Sequence, residues 1–321
     1  MTVSPQRAGT VLLAAPRGFC AGVERAVTIV QRALGIYGAP VYVRRHIVHN
    51  LKVVETLEEL GAVFVEDVED VPAGATLVFS AHGVSPAVRQ RAARRGLRVV
   101  DATCPLVTKV HREAERLSEA GYEILLIGQP GHDETEGTLG VAPTLSRLVD
   151  PSKPAPELTV RDPSRVAWLS QTTLSFDETD ATVSKLREQL PLIVDPPSDD
   201  ICYAAQNRQN AVKAIATRSD VVLVVGSAHS HNSAMLARVA RDHGAPDAHL
   251  IEGPEAIDPA WLIDAKVVGL TAGASAPATR ISDTLAYLAT HGYTDVHEIE
   301  VAHENQTFAL PEELRRRTSP R

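Results

Sequence analysis

Short runs of aliphatic and β-branched residues alternate along the chain with longer segments whose apolar residues recur at helical spacing. The run at 11–15, for example, leads into a helical pattern that starts near residue 21. Short apolar runs are typical of buried strands, and the longer periodic segments are typical of amphipathic helices. Their alternation predicts parallel sheets covered by helices, which is an α/β fold.

A pattern of strand, cysteine and helix occurs three times. The chain has three cysteines, and each follows an apolar run and precedes a helical segment: Cys20, Cys104 and Cys202. Gly35 and Gly121 are expected to end the first two of these helices. After each helix comes a second apolar run, whose polar end lies 28 or 29 residues after the cysteine, and later a third run. The spacing defines an internal repeat of about 90 residues.

Polar side chains stand where the second and third apolar runs of each repeat end. They are His49, His82, His132, Glu134, Thr172, Ser230, His231, Asn232 and Ser275. In open α/β sheets, binding sites form outside the carboxyl ends of the strands, so these side chains are candidates for one site. If the repeats pack around a pseudo-threefold axis, the three cysteines meet there as well. Three equivalent thiols then indicate ligands to one shared group.

The repeat divides the chain into three α/β domains and a tail. The expected domains are 21–103, 104–198, and 199–310 together with an N-terminal strand at 10–20, and the C-terminal tail is 311–321. A chain of 321 residues is too long for one compact core, which agrees with several domains.

Composition and charge exclude several classes of protein. Lys and Arg number 32 against 40 Asp and Glu, and the formal net charge of −8 argues against nucleic-acid binding. No apolar run approaches the roughly 20 residues of a membrane helix. Residues 1–10 lack the apolar segment of a signal peptide. We therefore expect a cytoplasmic protein without a nucleic-acid or membrane partner, and its odd number of cysteines argues against a disulfide framework.

Three thiolates can hold zinc or an iron–sulfur cluster. Structural zinc sites commonly use pairs of cysteines with two residues between them, and this sequence has no such pair. A cubane cluster prefers four thiolates, so three thiolates leave one iron open to substrate. The cysteines therefore favour a catalytic cluster over a pure electron carrier.

Specific strings surround the cysteines and the polar residues. In chain order they are PRGFCAGVERAV, VHN, SAHG, DATCPLVTKVH, GHDETEGT, SQTTLS, DDICYAAQNRQ and TAGASAP. Together they resemble the 4-hydroxy-3-methylbut-2-enyl diphosphate reductase (LytB) family over roughly residues 11–310. The resemblance implies a cloverleaf of three pseudo-symmetric α/β domains with small, mostly parallel sheets. It also implies a central [4Fe–4S] cluster with three cysteine ligands and one open iron.

The same resemblance implies the last step of the non-mevalonate isoprenoid pathway. In that step, a two-electron reductive dehydration converts (E)-4-hydroxy-3-methylbut-2-enyl diphosphate, a small allylic diphosphate, to isopentenyl and dimethylallyl diphosphate. The chain has no flavin or nicotinamide signature, so an external donor such as a ferredoxin or flavodoxin must supply the electrons. Two alternatives stay open: a hydro-lyase that removes water without reduction, and a cluster-binding sensor, each acting on a related diphosphate.

The resemblance also gives roles to the polar residues. Around the diphosphate and the hydroxyl end of the substrate it places His49, His82 and His132. On the diphosphate oxygens it places Ser230, Asn232 and Ser275. The catalytic group is Glu134, Thr172 and His132, in which Glu134 relays protons because hydroxide must leave as water. An anionic substrate is expected to raise the proton affinity of this carboxylate, and Gln171, Thr173 and Asn207 are expected to steady the network.

One loop departs from the family pattern. The family reads Asn-Ser-Ser-Asn where this chain reads His229, Ser230, His231 and Asn232. His231 stands for a serine that would donate to phosphate. Since imidazole can also donate, we expect His231 to bind substrate with an altered pH dependence.

Overall fold

The structure is a computed structural model that describes residues 8–154 and 157–315. It is an α/β protein whose strands form three sheets, and every strand pairing in the described residues is parallel. The predicted fold class of small parallel sheets with helices is confirmed.

The strands are short. In chain order they are β1 (Gly9–Ala15), β2 (Val41–Arg44), β3 (Ala62–Val65), β4 (Thr76–Phe79), β5 (Arg98–Asp101), β6 (Glu123–Ile127), β7 (Ser146–Val149), β8 (Val166–Ser170), β9 (Val221–Val225), β10 (Ala248–Ile251), β11 (Val267–Ala272) and β12 (Tyr293–Glu300). Strands β4, β6 and β9 bury every residue and β2 buries every second one, as strands covered by helices do.

The helices alternate with these strands. They are α1 (Ala21–Tyr37), α2 (Leu51–Glu59), α3 (Pro86–Arg94), α4 (Pro105–Glu119), α5 (Asp133–Leu139), α6 (Phe176–Gln189), α7 (Tyr203–Ala216), α8 (His231–Asp242), α9 (Ala278–Thr290) and α10 (Glu312–Arg315). Gly121, with φ of 76°, follows α4 as predicted. The prediction for Gly35 is wrong: α1 continues to Tyr37, and Gly38, with φ of 78°, follows its end.

The chain divides into two compact units. One consists of Met1–Cys20 and Tyr203–Gln306, and the other of Ala21–Cys202 and Thr307–Arg321. The first unit contains one sheet of order β10-β9-β11-β1-β12. Alternate residues of β9 enter different cores, so helices α7 and α8 cover one face of this sheet and α9 covers the other.

The other unit contains two sheets. Their strand orders are β3-β2-β4-β5 and β7-β6-β8. Helices α1 and α2 pack on the first sheet, and α4 packs on the second. The buried cores are aliphatic apart from Phe79, which agrees with an aromatic content of only 4%.

Each sheet repeats one order of strands. The strand that follows a cysteine-bearing helix lies between an edge strand and the third strand of the repeat. The strand before a cysteine pairs with the third strand of the preceding repeat, as β5 pairs with β4 and β1 pairs with β11. Each cysteine therefore stands where the chain leaves one sheet and enters the helix of the next repeat.

The segment before Cys202 differs from the predicted strand. It is reduced to one parallel bridge, between Val194 and Ala167 of β8. Pro191 precedes Val194, and the pair Pro196–Pro197 follows it. Because proline has no N–H to donate, the prolines on both sides of Val194 prevent this segment from pairing with β8 over more residues.

The predicted domains at 21–103, 104–198 and 199–310 stay a prediction, because the bounds of the two compact units do not correspond to them. Each sheet nevertheless takes its strands from one of these ranges, with β1 added to the last. In the predicted tail, α10 buries Leu314, while residues 316–321 lie outside the described residues. No helix in the described ranges has the length and hydrophobicity to cross a membrane.

Candidate active site

The three cysteines occupy equivalent positions in the repeat. Each is half-buried and stands directly before the first residue of a helix, α1, α4 or α7. The backbone N–H of each cysteine donates to the carbonyl oxygen two residues beyond the end of a third strand. The acceptors are Ala274 for Cys20 (3.2 Å), Ala81 for Cys104 (2.9 Å) and Thr172 for Cys202 (3.0 Å). Each thiol thus stands at the start of a helix, and cysteine thiolates are the ligands that hold zinc and iron–sulfur centres.

The three predicted histidines form one cluster. The rings of His49 and His82 stack with their centroids 3.9 Å apart. The His132 ring lies edge-on to both, at 4.9 Å from His49 and 5.7 Å from His82. Residues from three separate loops therefore meet at the carboxyl ends of β2, β4 and β6, as the sequence predicted for this part of the site.

The environment of the histidines limits their charge. Burial, together with the neighbouring His49, His132 and His46, holds the pKa of His82 well below its usual value. The His82 ring is therefore uncharged at neutral pH, although the Asp133 carboxylate lies 3.8 Å from its Nδ1. His132 caps α5, and its Nδ1 accepts the N–H of Glu134 at 3.2 Å. This leaves Nε2 of His132 to carry the ring proton and to donate.

Glu134 and Thr172 form a buried pair. Glu134 is 2% exposed, and its two oxygens accept the backbone N–H of Thr172 at 2.6 Å and the Thr172 hydroxyl at 3.0 Å. Burial raises the pKa of Glu134 to about 7, against the effect of these hydrogen bonds and with a contribution from the charge of Asp200. A carboxyl group that changes protonation near neutral pH is suited to general acid catalysis.

The end of β8 holds this pair in place. Gln171 Oε1 accepts the backbone N–H of Gln129 at 2.9 Å and the Thr135 hydroxyl at 3.2 Å, and its amide donates to Thr173 at 2.9 Å. Gln171 thus ties β8 to α5, the helix that carries Glu134. Asn207 has a different partner, since its amide donates to Glu304 at 3.0 Å.

A second polar group lies in the unit of Met1–Cys20 and Tyr203–Gln306, at the start of α8. Ser230 caps the helix and accepts the N–H of Ser233 at 3.2 Å, and the Ser275 hydroxyl lies 3.5 Å from that of Ser230. Asn232 Oδ1 accepts the N–H of Ala274 at 2.9 Å. The buried Asn232 Nδ2 has no hydrogen-bond partner among the described residues, and such a donor suits an anionic oxygen.

His231 is the first residue of α8 and is half-buried. It lies between Ser230 and Asn232 at the start of the helix, where the positive end of the helix favours a bound anion. Its contact with substrate stays a prediction.

Ser233 is a residue that the sequence analysis missed. It is fully buried, and its hydroxyl lies where a Cβ atom on Gly226 or Gly273 would stand, within 2.2 and 2.0 Å respectively. Glycines after β9 and β11 therefore allow α8 to approach the strand ends. The signal in the sequence is the glycine that follows each strand, Gly226 after β9 and Gly273 after β11.

A possible cation site overlaps the histidine cluster. Ligand atoms of His49, His82 and Asp133 lie within 4.8 Å of one another. The Asp133 carboxylate, however, forms an ion pair with Arg45, which also binds Glu136 at 2.8 Å. Because Arg45 already balances this carboxylate, the cluster lacks the net negative charge that would favour a cation.

Comparison with known proteins agrees with this geometry. Residues 11–289 match the profile of the family described as LytB protein. The chain is 56% identical over 314 residues to 4-hydroxy-3-methylbut-2-enyl diphosphate reductase of Nocardia farcinica, covering 98% of this chain and 94% of the relative. It is 57% identical over 306 residues to the reductase of the same name from Leifsonia xyli, covering 95% and 91%.

A solved structure is also similar. The E-1-hydroxy-2-methyl-but-2-enyl-4-diphosphate reductase from Plasmodium falciparum superimposes with a TM-score of 0.91 at 35% identity, over 96% of this chain and 97% of that one. Fold, site and relatives together define the class, which is an α/β oxidoreductase. The chain belongs to the LytB family, as its sequence strings predicted.

Proposed function

We propose that this protein converts (E)-4-hydroxy-3-methylbut-2-enyl diphosphate to isopentenyl and dimethylallyl diphosphate by two-electron reductive dehydration. The names of the curated relatives and of the similar structure support this proposal, since the chain covers more than nine-tenths of each. It is a proposal for the terminal step of the non-mevalonate pathway.

The observation that carries the proposal is the buried pair of Glu134 and Thr172. Loss of the substrate hydroxyl as water requires a proton, and reduction of the allyl fragment requires another. Burial raises the pKa of Glu134 to about 7, so the group can both hold and release a proton near neutral pH. The Thr172 hydroxyl and the N–H of the same residue orient the carboxyl group. A binding or sensing protein has no need of such a group.

The polar groups at the strand ends fit a diphosphate. Ser230, Asn232 and Ser275 offer hydroxyl and amide donors at the start of α8, where the positive end of the helix favours a bound anion. His49, His82 and His132 offer ring donors, and a bound anion would favour the charged form that burial now disfavours. We assign these six residues to substrate, with His231 as an additional donor.

Members of the LytB family use an iron–sulfur cluster. We infer that Cys20, Cys104 and Cys202 are its ligands, that it is of the [4Fe–4S] type, and that one iron lacks a cysteine. Their equivalent backbone hydrogen bonds before three helices support one shared function for the three thiols. When bound, the cluster supplies electrons and a Lewis-acidic iron.

The electrons come from outside the chain. We propose a small electron-transfer protein, a ferredoxin or flavodoxin, because the sequence contains no nicotinamide or flavin motif.

An anaerobic assay with a dithionite-reduced viologen dye tests the proposal. We expect oxidation of two dye molecules for each substrate consumed, with both isoprenoid diphosphates as products. Substrate loss without dye oxidation would instead identify a hydro-lyase, and diphosphate binding without turnover would identify a sensor.

A further inference from the structure

One cationic side chain on each cysteine-bearing helix reaches the chain segment before a different cysteine. On α1, Arg25 Nη1 donates to the carbonyl oxygens of Ala102 and Thr103, both at 3.1 Å. These two residues directly precede Cys104. Its Nε also donates to the carbonyl oxygen of Ala309 at 2.8 Å.

The second cation is on α4. Lys109 Nζ donates to the carbonyl oxygens of Ser198 at 3.1 Å and Asp199 at 2.6 Å. It also lies 3.3 Å from the buried carboxylate of Asp200, which accepts the N–H of Ser170 at 3.1 Å. This is the segment before Cys202 that lacks a strand, so Lys109 supplies contacts that strand pairing provides elsewhere.

The third cation is on α7. Arg208 is fully buried, and its Nε and Nη2 donate to the carbonyl oxygen of Gly18 at 3.1 and 2.8 Å. Nη2 also donates to the Phe19 carbonyl at 3.3 Å, directly before Cys20. Glu304 balances the charge, with Oε1 3.1 Å from Nη1 of Arg208.

The three contacts follow the repeat in a cycle. The cations stand five, five and six residues after their own cysteines. The helix after Cys20 binds the segment before Cys104, the helix after Cys104 binds the segment before Cys202, and the helix after Cys202 binds the segment before Cys20. Every one of these contacts lies within a single compact unit.

We propose that Arg25, Lys109 and Arg208 are positioning residues for the metal-binding cysteines. Each holds the backbone segment before one cysteine against the helix that follows another cysteine. The three segments that precede the cysteines are therefore fixed by the same kind of contact. The proposal rests on the proposed function, since it takes the three cysteines as ligands of one cluster.

Two features distinguish this role from ordinary packing. The acceptors are backbone carbonyls within four residues of a cysteine in all three cases, whereas other cations on these helices, such as Arg32 and Arg112, are exposed. Burying the charged guanidinium of Arg208 costs solvation free energy and adds little to the net stability of the fold. A role in positioning the backbone therefore explains its burial better. Hydrogen bonds from charged donors are also the stronger kind, which suits loops that must keep their geometry.

The test measures how well the cluster is retained. Protein reconstituted without oxygen is mixed with bipyridyl, a ferrous-iron chelator, and iron loss is followed by colour. Arg25→Met and Lys109→Met remove the donors but keep the aliphatic stems. We expect iron loss about tenfold faster in each variant, since one charge-assisted hydrogen bond contributes at least that factor. Arg32→Met and Arg112→Met are the matched controls on the same helices.

Thermal unfolding of the cluster-free proteins separates positioning from stability. We expect an unchanged midpoint for Arg25→Met. Lys109→Met leaves the buried Asp200 carboxylate without its counter-charge, and Arg208→Met does the same to Glu304. The double variants Lys109→Met/Asp200→Asn and Arg208→Met/Glu304→Gln therefore replace these two, with midpoints expected to be unchanged. If a methionine variant does not fold, Arg25→Lys and Lys109→Arg decide, since they keep the charge and change the reach; they too are expected to lose iron faster.

Iron loss at the control rate in every folded variant would overturn this inference while leaving the proposed function intact. A wild-type protein that binds no iron would instead overturn the proposed function. A fall in the unfolding midpoint that accounts for all of the faster iron loss would make the cations structural residues only.

Discussion

Glu134→Gln is expected to make the protein inactive and, at high pH, more stable. Glutamine keeps the size of the side chain and can still accept the N–H of Thr172, which lies 2.6 Å from the carboxylate. It cannot become charged. The substitution therefore removes both the transferable proton and the cost of a charge in a site that is 2% exposed.

The magnitude follows from the shift in the pKa of Glu134. Burial is its main cause and raises the value from 4.5 to about 7. The protonated form is thus favoured in the folded state, and the wild type loses stability as pH rises from about 4.5 through 7. A difference of roughly 2.5 pKa units corresponds to about 3 kcal/mol. The glutamine variant lacks this loss, so its stability relative to wild type should increase by about that amount between acidic and alkaline pH.

Urea unfolding without oxygen, at a series of pH values across this range, measures the difference. Turnover by the dye assay should fall by a factor of about 100 or more in the same variant, as expected on loss of a general acid. Glu115→Gln, an exposed position on α4, is the control and should change neither quantity. A constant stability difference across pH would show that the Glu134 pKa is ordinary, and near-normal turnover would remove Glu134 from proton transfer.

Three further predictions concern the ligand set, the diphosphate loop and the glycines. Cys104→Ser, like the same change at either other cysteine, should destabilise the brown cluster; full iron content and activity in all three variants would contradict the ligand assignment. His231→Ser should change substrate affinity by about 1–2 kcal/mol and abolish a weakening of binding as pH rises, and superimposable affinity profiles would show that the ring does not reach substrate. Gly273→Ala should lower the free energy of unfolding by about 1–3 kcal/mol through overpacking against Ser233, whose hydroxyl lies 2.0 Å from the new Cβ. Ser233→Ala in the same chain should recover part of that loss in a double-mutant cycle.

The pattern of apolar runs predicted the sheets better than it predicted their edges. The central strands are short continuous apolar runs, and these were recognised. The edge strands β3, β7, β10 and β12 were missed. Polar residues interrupt the apolar signal in β7, β10 and β12. β3 is apolar throughout, but a run of four residues is not distinguished from a buried turn of helix. The segment before Cys202 showed the reverse error, since apolar residues between prolines resembled a strand.

The candidate site was predictable where chemistry is carried by rare residues. Three cysteines and several histidines in equivalent places form a pattern that the chain itself displays. The supporting residues could not be found in this way. Arg25, Lys109 and Arg208 resemble any cation on a helix, and only the folded structure shows that their partners are backbone carbonyls far away in the sequence.

The placement of β1 has a consequence for biosynthesis. This strand lies between β11 and β12, with Thr10 paired to Val267, so its partners are translated about 250 residues later. At roughly 5–20 residues per second, the nascent chain carries an unpaired apolar strand for on the order of ten to fifty seconds. The Ala274 carbonyl that holds the N–H of Cys20 also emerges only near the end of synthesis. Any metal centre that needs Cys20 is therefore assembled after the ribosome has made nearly the whole chain, and a circular permutant that moves β1 behind β12 would remove this delay.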